Sequence, residues 1–146
     1  MTLLVSFARK ADYKYDSGRK NVGQYKVTIT FKGKYSGTYY RTSRILPKGT
    51  KLKKVSSGKK SFTAKWSKQK TQTTGYQVQY SLKKNFKSRA KTATIGKAKT
   101  TAKKVTGLKK KKTYYVRVRT YKTVKINGKK TKLVSAWSSV KKVKTE

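Results

Sequence analysis

From Thr113 the chain alternates without a break. Tyr114, Val116, Val118 and Thr120 fall on one parity, and Tyr115, Arg117, Arg119 and Tyr121 on the other. Successive side chains of an extended strand point to opposite faces, so the first set predicts a core face and the second an outer one. The same period of two runs through "SFTAKW" (61–66), where Phe62, Ala64 and Trp66 oppose Ser61, Thr63 and Lys65. It recurs in "GYQVQY" (75–80), where Tyr76, Val78 and Tyr80 oppose Gln77 and Gln79. "KTATI" (91–95) and "TTAKKV" (100–105) are shorter candidates. "KINGKK" (125–130) carries Asn127-Gly128, a hairpin signal because both residues tolerate positive φ. A last strand is expected within residues 133–144, with a bulge or bend between Trp137 and Val143 where the inward register slips. No helical period of 3.6 is present. About seven short strands with turns every ~8–12 residues predict an all-β fold over residues 52–146, a seven-stranded antiparallel β-sandwich.

Residues 1–46 are patterned separately. "QYKVTITF" (24–31) alternates Tyr25, Val27, Ile29 and Phe31 against Gln24, Lys26, Thr28 and Thr30, and residues 33–46 read as a hairpin return. Pro47 is the only proline, and residues 47–51 read as a linker. A small sheet of this size is marginal in water by itself. The N-terminal β-hairpin fragment is therefore expected to pack on the main domain, to exchange strands with a second copy in a homodimer, or to be the end of a domain whose first half is missing.

Charge changes this picture more than any motif. The chain has 42 Lys and Arg against 3 Asp and Glu, a formal net charge of +39. The acids are Asp12, Asp16 and Glu146, so residues 17–145 hold no carboxylate side chain with which a surface ion pair could form. Such a field gathers polyanions with little discrimination and lowers stability by self-repulsion. A disordered basic tail is excluded by 12% aromatic residues and 34% hydrophobic residues in regular alternation. Only three asparagines accompany the lysines, so biased nucleotide composition does not account for them.

The chemical inventory is as informative. Without histidine or cysteine, neither disulfides nor thiolate metal sites are available, and an activated nucleophile would lack an ordinary base. Asp12 and Asp16 alone fall far short of a calcium shell. No catalytic residue, metal or cofactor is expected. No segment approaches the ~20 apolar residues of a membrane helix, and "MTLLVSF" lacks the basic start of a signal peptide. An export signal, if one exists, is expected outside this sequence.

Residues 52–145 resemble a fibronectin type III domain, in particular the lysine-rich kind found in secreted and wall-attached proteins of Gram-positive bacteria. "SFTAKW" is similar to the family's second strand with its buried tryptophan, here Trp66, and "GYQVQYS" to its third. "GLKKKKTYYVRVRTY" (107–121) is similar to the corner before the sixth strand and to that strand itself, and "SAWSSVKKVKT" (135–145) to the Trp-Ser ending of the seventh. The resemblance places Leu108 and Tyr114 at the corner leucine and corner tyrosine, whose hydroxyl bonds the backbone upstream. No Arg-Gly-Asp is present, so adhesion of that kind is not supported. Residues 12–37 resemble the closing strands of a bacterial immunoglobulin-like repeat.

In that family the third and sixth strands are neighbours, so Gln77, Gln79, Tyr115, Arg117, Arg119 and Tyr121 would share one outer face. Guanidinium forks grip phosphate or carboxylate, and tyrosine rings stack on sugars, bases or cations. The competing reading is that these long side chains simply cover the outside of a strand. Lys109, Lys110, Lys111 and Lys112 form a charge cluster on the corner loop, read either as a polyanion contact or as a solvated loop. Trp66 reads as core, and Trp137 as packing or ligand stacking. The resemblance implies an extracellular or wall-associated module, a spacer or adhesion domain holding anionic cell-wall polymers or acidic glycans. The alternative partner is nucleic acid bound non-specifically, although no recognition helix or RNA-module signature is present. A third reading, a deliberately supercharged scaffold, would explain the missing acids but not the natural-looking N-terminal segment.

Overall fold

The structure is a computed structural model. It describes residues 12–15, 19–32 and 36–146, with the side chains of 12–15 and 32 left aside. Among the described residues there is no helix. Eleven strands form three antiparallel sheets. β1 (Asp12–Tyr15), β2 (Gly23–Lys32) and β3 (Thr38–Ile45) make an N-terminal sheet in the order β1-β2-β3. β4 (Leu52–Gly58), β5 (Ser61–Trp66) and β8 (Ala102–Val105) make the second, ordered β4-β5-β8. The third joins β6 (Gly75–Ser81), β7 (Lys91–Ile95), β9 (Thr113–Ile126), β10 (Lys129–Val134) and β11 (Lys141–Lys144) in the order β7-β6-β9, with β10 and β11 both paired to β9.

Two expectations need correcting. The expected seven strands of residues 52–146 are eight, because the last is broken in two. β10 pairs the far half of β9, with Val134 opposite Tyr121, and β11 pairs its near half, with Lys141 opposite Val116. The chain between them, residues 135–140, holds the bend, which begins two residues before the expected span of Trp137 to Val143. Its ladder is replaced by Ser138 donating its amide to the Val118 carbonyl at 2.8 Å and Ser135 donating to Thr120 at 3.1 Å. The N-terminal hairpin is in turn a three-stranded sheet, since β1 adds to β2 opposite residues 29–32.

The core lies between the second and third sheets. It takes Phe62, Ala64 and Trp66 from β5, Tyr76 and Val78 from β6, and Tyr114, Val116 and Val118 from β9. These are the inward parities of the sequence pattern. Burying each large side chain contributes about 1.5–3 kcal/mol, before the entropy of ordering is set against it. Trp66 stacks tilted on Tyr76 at 5.3 Å, and Phe62 meets Tyr80 edge-on at 5.6 Å. The Asn127-Gly128 turn closes β9 onto β10 with φ of 49° and 78°, as its residues allow.

Residues 47–51 are sewn down rather than loose. The Lys48 carbonyl accepts from the buried Thr120 hydroxyl at 2.6 Å, and the Lys51 carbonyl from the Ser67 amide at 3.0 Å. The N-terminal sheet reaches the main domain through Gln72, whose Oε1 accepts from the Val22 amide and whose Nε2 donates to the Lys20 carbonyl at 3.0 Å. β2 also lies against β9. Of the three fates expected for this segment, packing on the main domain is the one seen within a single chain.

Candidate polyanion-binding surfaces

β6 and β9 pair in register, Gln77 opposite Arg119 and Gln79 opposite Arg117, so all four side chains share one face. They are bonded in pairs. Arg117 donates through Nε and Nη2 to Gln79 Oε1 at 2.8 and 2.6 Å, and Arg119 donates through Nε to Gln77 Oε1 at 2.8 Å. Aromatic rings cover the guanidinium planes. Arg117 Cζ lies 4.0 Å from the Phe86 centroid and 4.5 Å from that of Trp137, and Arg119 Cζ lies 4.1 Å from Trp137. Burial pulls both guanidinium pKa values below the ordinary arginine value, and the Arg117 charge pulls that of Arg119 further. A guanidinium offers five N–H donors. Gln79 takes two from Arg117 and Gln77 takes one from Arg119.

The expected platform thus forms in part. Gln77, Gln79, Arg117 and Arg119 come together, and Tyr115 is half-buried on the same parity. Tyr121 does not join it and is only 3% exposed. Opposite it stands Gly75, whose missing side chain leaves room for the ring: a Cβ there would lie 3.1 Å from Tyr121 Cε1. Lys132 Nζ covers the ring at 5.2 Å. Strand parity marks Tyr121 as outward; the glycine across the ladder leaves room for the ring and Lys132 covers it. Trp137 packs on the arginine pair, and its partner Phe86 carries no periodic signal because it lies in the loop after β6.

The lysine run is exposed at all four positions but is not a floppy loop. The Tyr114 hydroxyl accepts from the Lys109 amide at 3.0 Å, the upstream backbone bond expected of the corner tyrosine. The Thr145 hydroxyl donates to the Lys109 carbonyl at 2.6 Å and accepts from the Lys112 amide at 3.1 Å, while its own amide donates to the Lys112 carbonyl at 3.0 Å. Gly107 and Lys111 turn the chain with φ of 70° and 53°. Four ammonium groups are therefore presented on a tethered turn. Thr145 has no sequence signal, being a single polar residue beside the last one.

A cleft of about 620 Å³ opens beside this turn, bounded by Tyr80, Tyr114, Lys83, Arg89, Lys91 and Lys109. Burial, and then the neighbouring Tyr114, raises the Tyr80 phenol above its ordinary pKa. Apart from Lys109, its cations were not among the sequence candidates, because only folding brings the β6–β7 connection that carries them beside the lysine turn. Among the described residues no group of His, Cys, Asp or Glu could hold a metal ion. The Asp12 side chain and Asp16 lie outside the described residues.

A family model described as "Fibronectin type III domain" matches residues 47–136. No curated protein matches the chain. Among solved structures, the crystal structure of the chicken CNTN1 FN1-FN3 domains overlays with a TM-score of 0.58 at 14% identity, covering 89% of this chain. The chain spans 45% of that structure. Residues 47–146 are 100 of the 146, so an overlay of 89% takes in part of the N-terminal sheet as well.

Proposed function

Because the chain belongs to the fibronectin type III family, we propose that it serves as an extracellular or wall-associated module, a spacer or adhesion domain, and holds anionic cell-wall polymers or acidic glycans through its cationic surface. The observation that carries this reading is where the charge sits. Every lysine whose side chain is described is exposed except the half-buried Lys122, and no carboxylate side chain interrupts them before Glu146. Lysine suits diffuse neutralisation, since its compact ammonium imposes no single geometry on a phosphate or carboxylate. The two arginines, by contrast, are already committed to glutamine and aromatic partners. Contact through many ammoniums releases many counterions and falls steeply with salt.

The test is retention of the full chain on Gram-positive cell walls before and after their teichoic acids are stripped, with an acidic polysaccharide and duplex DNA beside them. Retention that needs the anionic polymer and is lost by a few tenths molar salt, ~0.3–0.5 M, is the expected result. Equal retention on stripped walls would overturn the reading. Binding that survives high salt on DNA alone would move the proposal to nucleic acid.

A further inference from the structure

We propose that the cleft beside the lysine turn is a discrete binding site for an anionic sugar, a pyranose bearing a carboxylate or a phosphate. This rests on the polyanion reading and goes beyond it, because a diffuse field needs no cavity.

Cations are dense everywhere on this chain, so their number in the cleft decides nothing. Their arrangement does. Lys83 follows β6, Arg89 stands in the loop before β7, Lys91 opens β7, and Lys109 belongs to the tethered turn. Four charges thus border one concavity, three from the β6–β7 connection and one from the lysine turn, with no acid in its lining. Low-dielectric walls focus such a field, and an anion seated there would face several cations at once. The volume falls in the ~300–1,000 Å³ range of small-molecule sites.

The walls favour a sugar over a flat base. Tyr80 and Tyr114 are inclined at 61° with centroids 6.3 Å apart, so they cannot sandwich a plane between parallel faces. A chair-shaped ring can rest its C–H face on one phenol and turn its hydroxyls toward the other. Leu82 and Leu108 add apolar surface. Among the described residues the Tyr80 hydroxyl has no protein hydrogen-bond partner, whereas that of Tyr114 already serves Lys109. The Tyr80 hydroxyl is thus left free to bond a sugar hydroxyl.

The site is also pre-formed. Arg89 sits at φ 52° and Phe86 at φ 55°, and Phe86 is held by burial under Arg117. The Ser81 hydroxyl accepts from the Lys83 amide at 3.1 Å at the mouth of the same loop. The backbone therefore needs little ordering when a ligand binds, and the cost that remains is that of fixing the exposed Lys and Arg side chains.

The experiment is titration of the full chain by calorimetry at about physiological salt, where exposed charges are screened beyond ~8 Å. The probes are trigalacturonate, N-acetylglucosamine 1-phosphate and neutral maltotriose. Saturable one-to-one binding of either anionic probe, absent for maltotriose, is the expected result, and the two arms identify the acid. Arg89→Gly removes the charge at a φ that glycine adopts freely, and Tyr80→Phe keeps the packed ring while deleting its hydroxyl. Each is expected to weaken binding, the first about tenfold as for loss of a charge-assisted contact. Lys103→Ala, on the other sheet, removes an equal charge and is expected to change little. Equal weakening by Arg89→Gly and Lys103→Ala overturns the site while leaving the diffuse reading standing. Equal binding of maltotriose overturns the requirement for an anion. Absence of binding by both anionic probes overturns the site outright; loss of low-salt wall retention is what overturns the broader reading.

Discussion

The Arg119 guanidinium carbon lies 4.1 Å from the centroid of the Trp137 ring while its Nε donates to Gln77 Oε1 at 2.8 Å. Trp137 occupies the break between β10 and β11, so the interruption of the last strand and the capping of the arginines are one device. The broken ladder frees an indole to lie across two guanidiniums that repel each other with no acid to answer them. Trp137→Ala is expected to lower stability by about 1–3 kcal/mol, from lost packing and two lost cation–π contacts. A urea melt checks it, with a lowered midpoint and unchanged m. Arg119→Lys should fall between wild type and Arg119→Ala, because an ammonium cannot both stack and reach Gln77 as a planar fork does. An unmoved midpoint for Trp137→Ala would mean the stack is incidental.

Gly75 is required by space rather than by φ. A Cβ there would stand 2.0 Å from the Ile95 carbonyl oxygen and 3.1 Å from Tyr121. Gly75→Ala must therefore push β7 away from β6, and the tyrosine must also give by a few tenths of an ångström. The expected cost is about 2–4 kcal/mol, at the upper end for a single methyl, measured by chemical unfolding.

Thr145 pins the lysine turn from the far end of the chain. Thr145→Val keeps the shape and removes the hydroxyl's bonds to Lys109 and Lys112, at an expected cost of about 1–2 kcal/mol. Amide exchange supplies the specific readout: the Lys112 amide, now bonded to the Thr145 hydroxyl, should exchange faster while the β6 and β9 amides keep their relative protection.

The Tyr80 phenol is raised above its ordinary value by burial first and Tyr114 second. The fold thus favours the neutral phenol. Its contribution is fully present below the unfolded phenol value of about 10 and is lost as pH rises through the higher folded value. The clean comparison is wild type against Tyr80→Phe: between about pH 8 and pH 11 the wild type should lose more stability than the variant. Equal losses would show that the phenol ionises without penalty in the fold.

Self-repulsion at +39 predicts that salt stabilises this domain. Raising sodium chloride from about 0.02 to about 0.5 M shortens the Debye length from roughly 20 Å to below 5 Å, and the melting temperature should climb. A fall over that range would show that charge repulsion does not limit the stability of this fold.

Much of the fold was legible because alternation is enforced residue by residue. Phe62, Ala64, Trp66, Val78, Val116 and Val118 face the core where their parity puts them, and the bend around Trp137 was visible as a slip in that parity. The candidate face was legible only by half. Gln77 and Gln79 meet Arg119 and Arg117 because the ladder aligns them, but that Phe86 and Trp137 lie over the guanidiniums depends on where two irregular segments fold back. Tyr121 was misread because its burial depends on residues of other strands, Gly75 and Lys132.

By itself, then, the sequence determined most of the inward positions, that residues 52–146 form a β-sandwich, that residues 17–145 hold no acid side chain to answer the lysines, and that ordinary acid–base and metal chemistry lack their groups. These are local or summed properties, carried by period two and by composition. The tertiary structure alone decided that the last strand breaks, that the arginines are spoken for, that Thr145 tethers the lysine turn, and that Lys83, Arg89, Lys91 and Lys109 border one cleft. Each of these joins segments far apart along the chain, and such contacts are set by strand register and loop geometry, which no local pattern encodes.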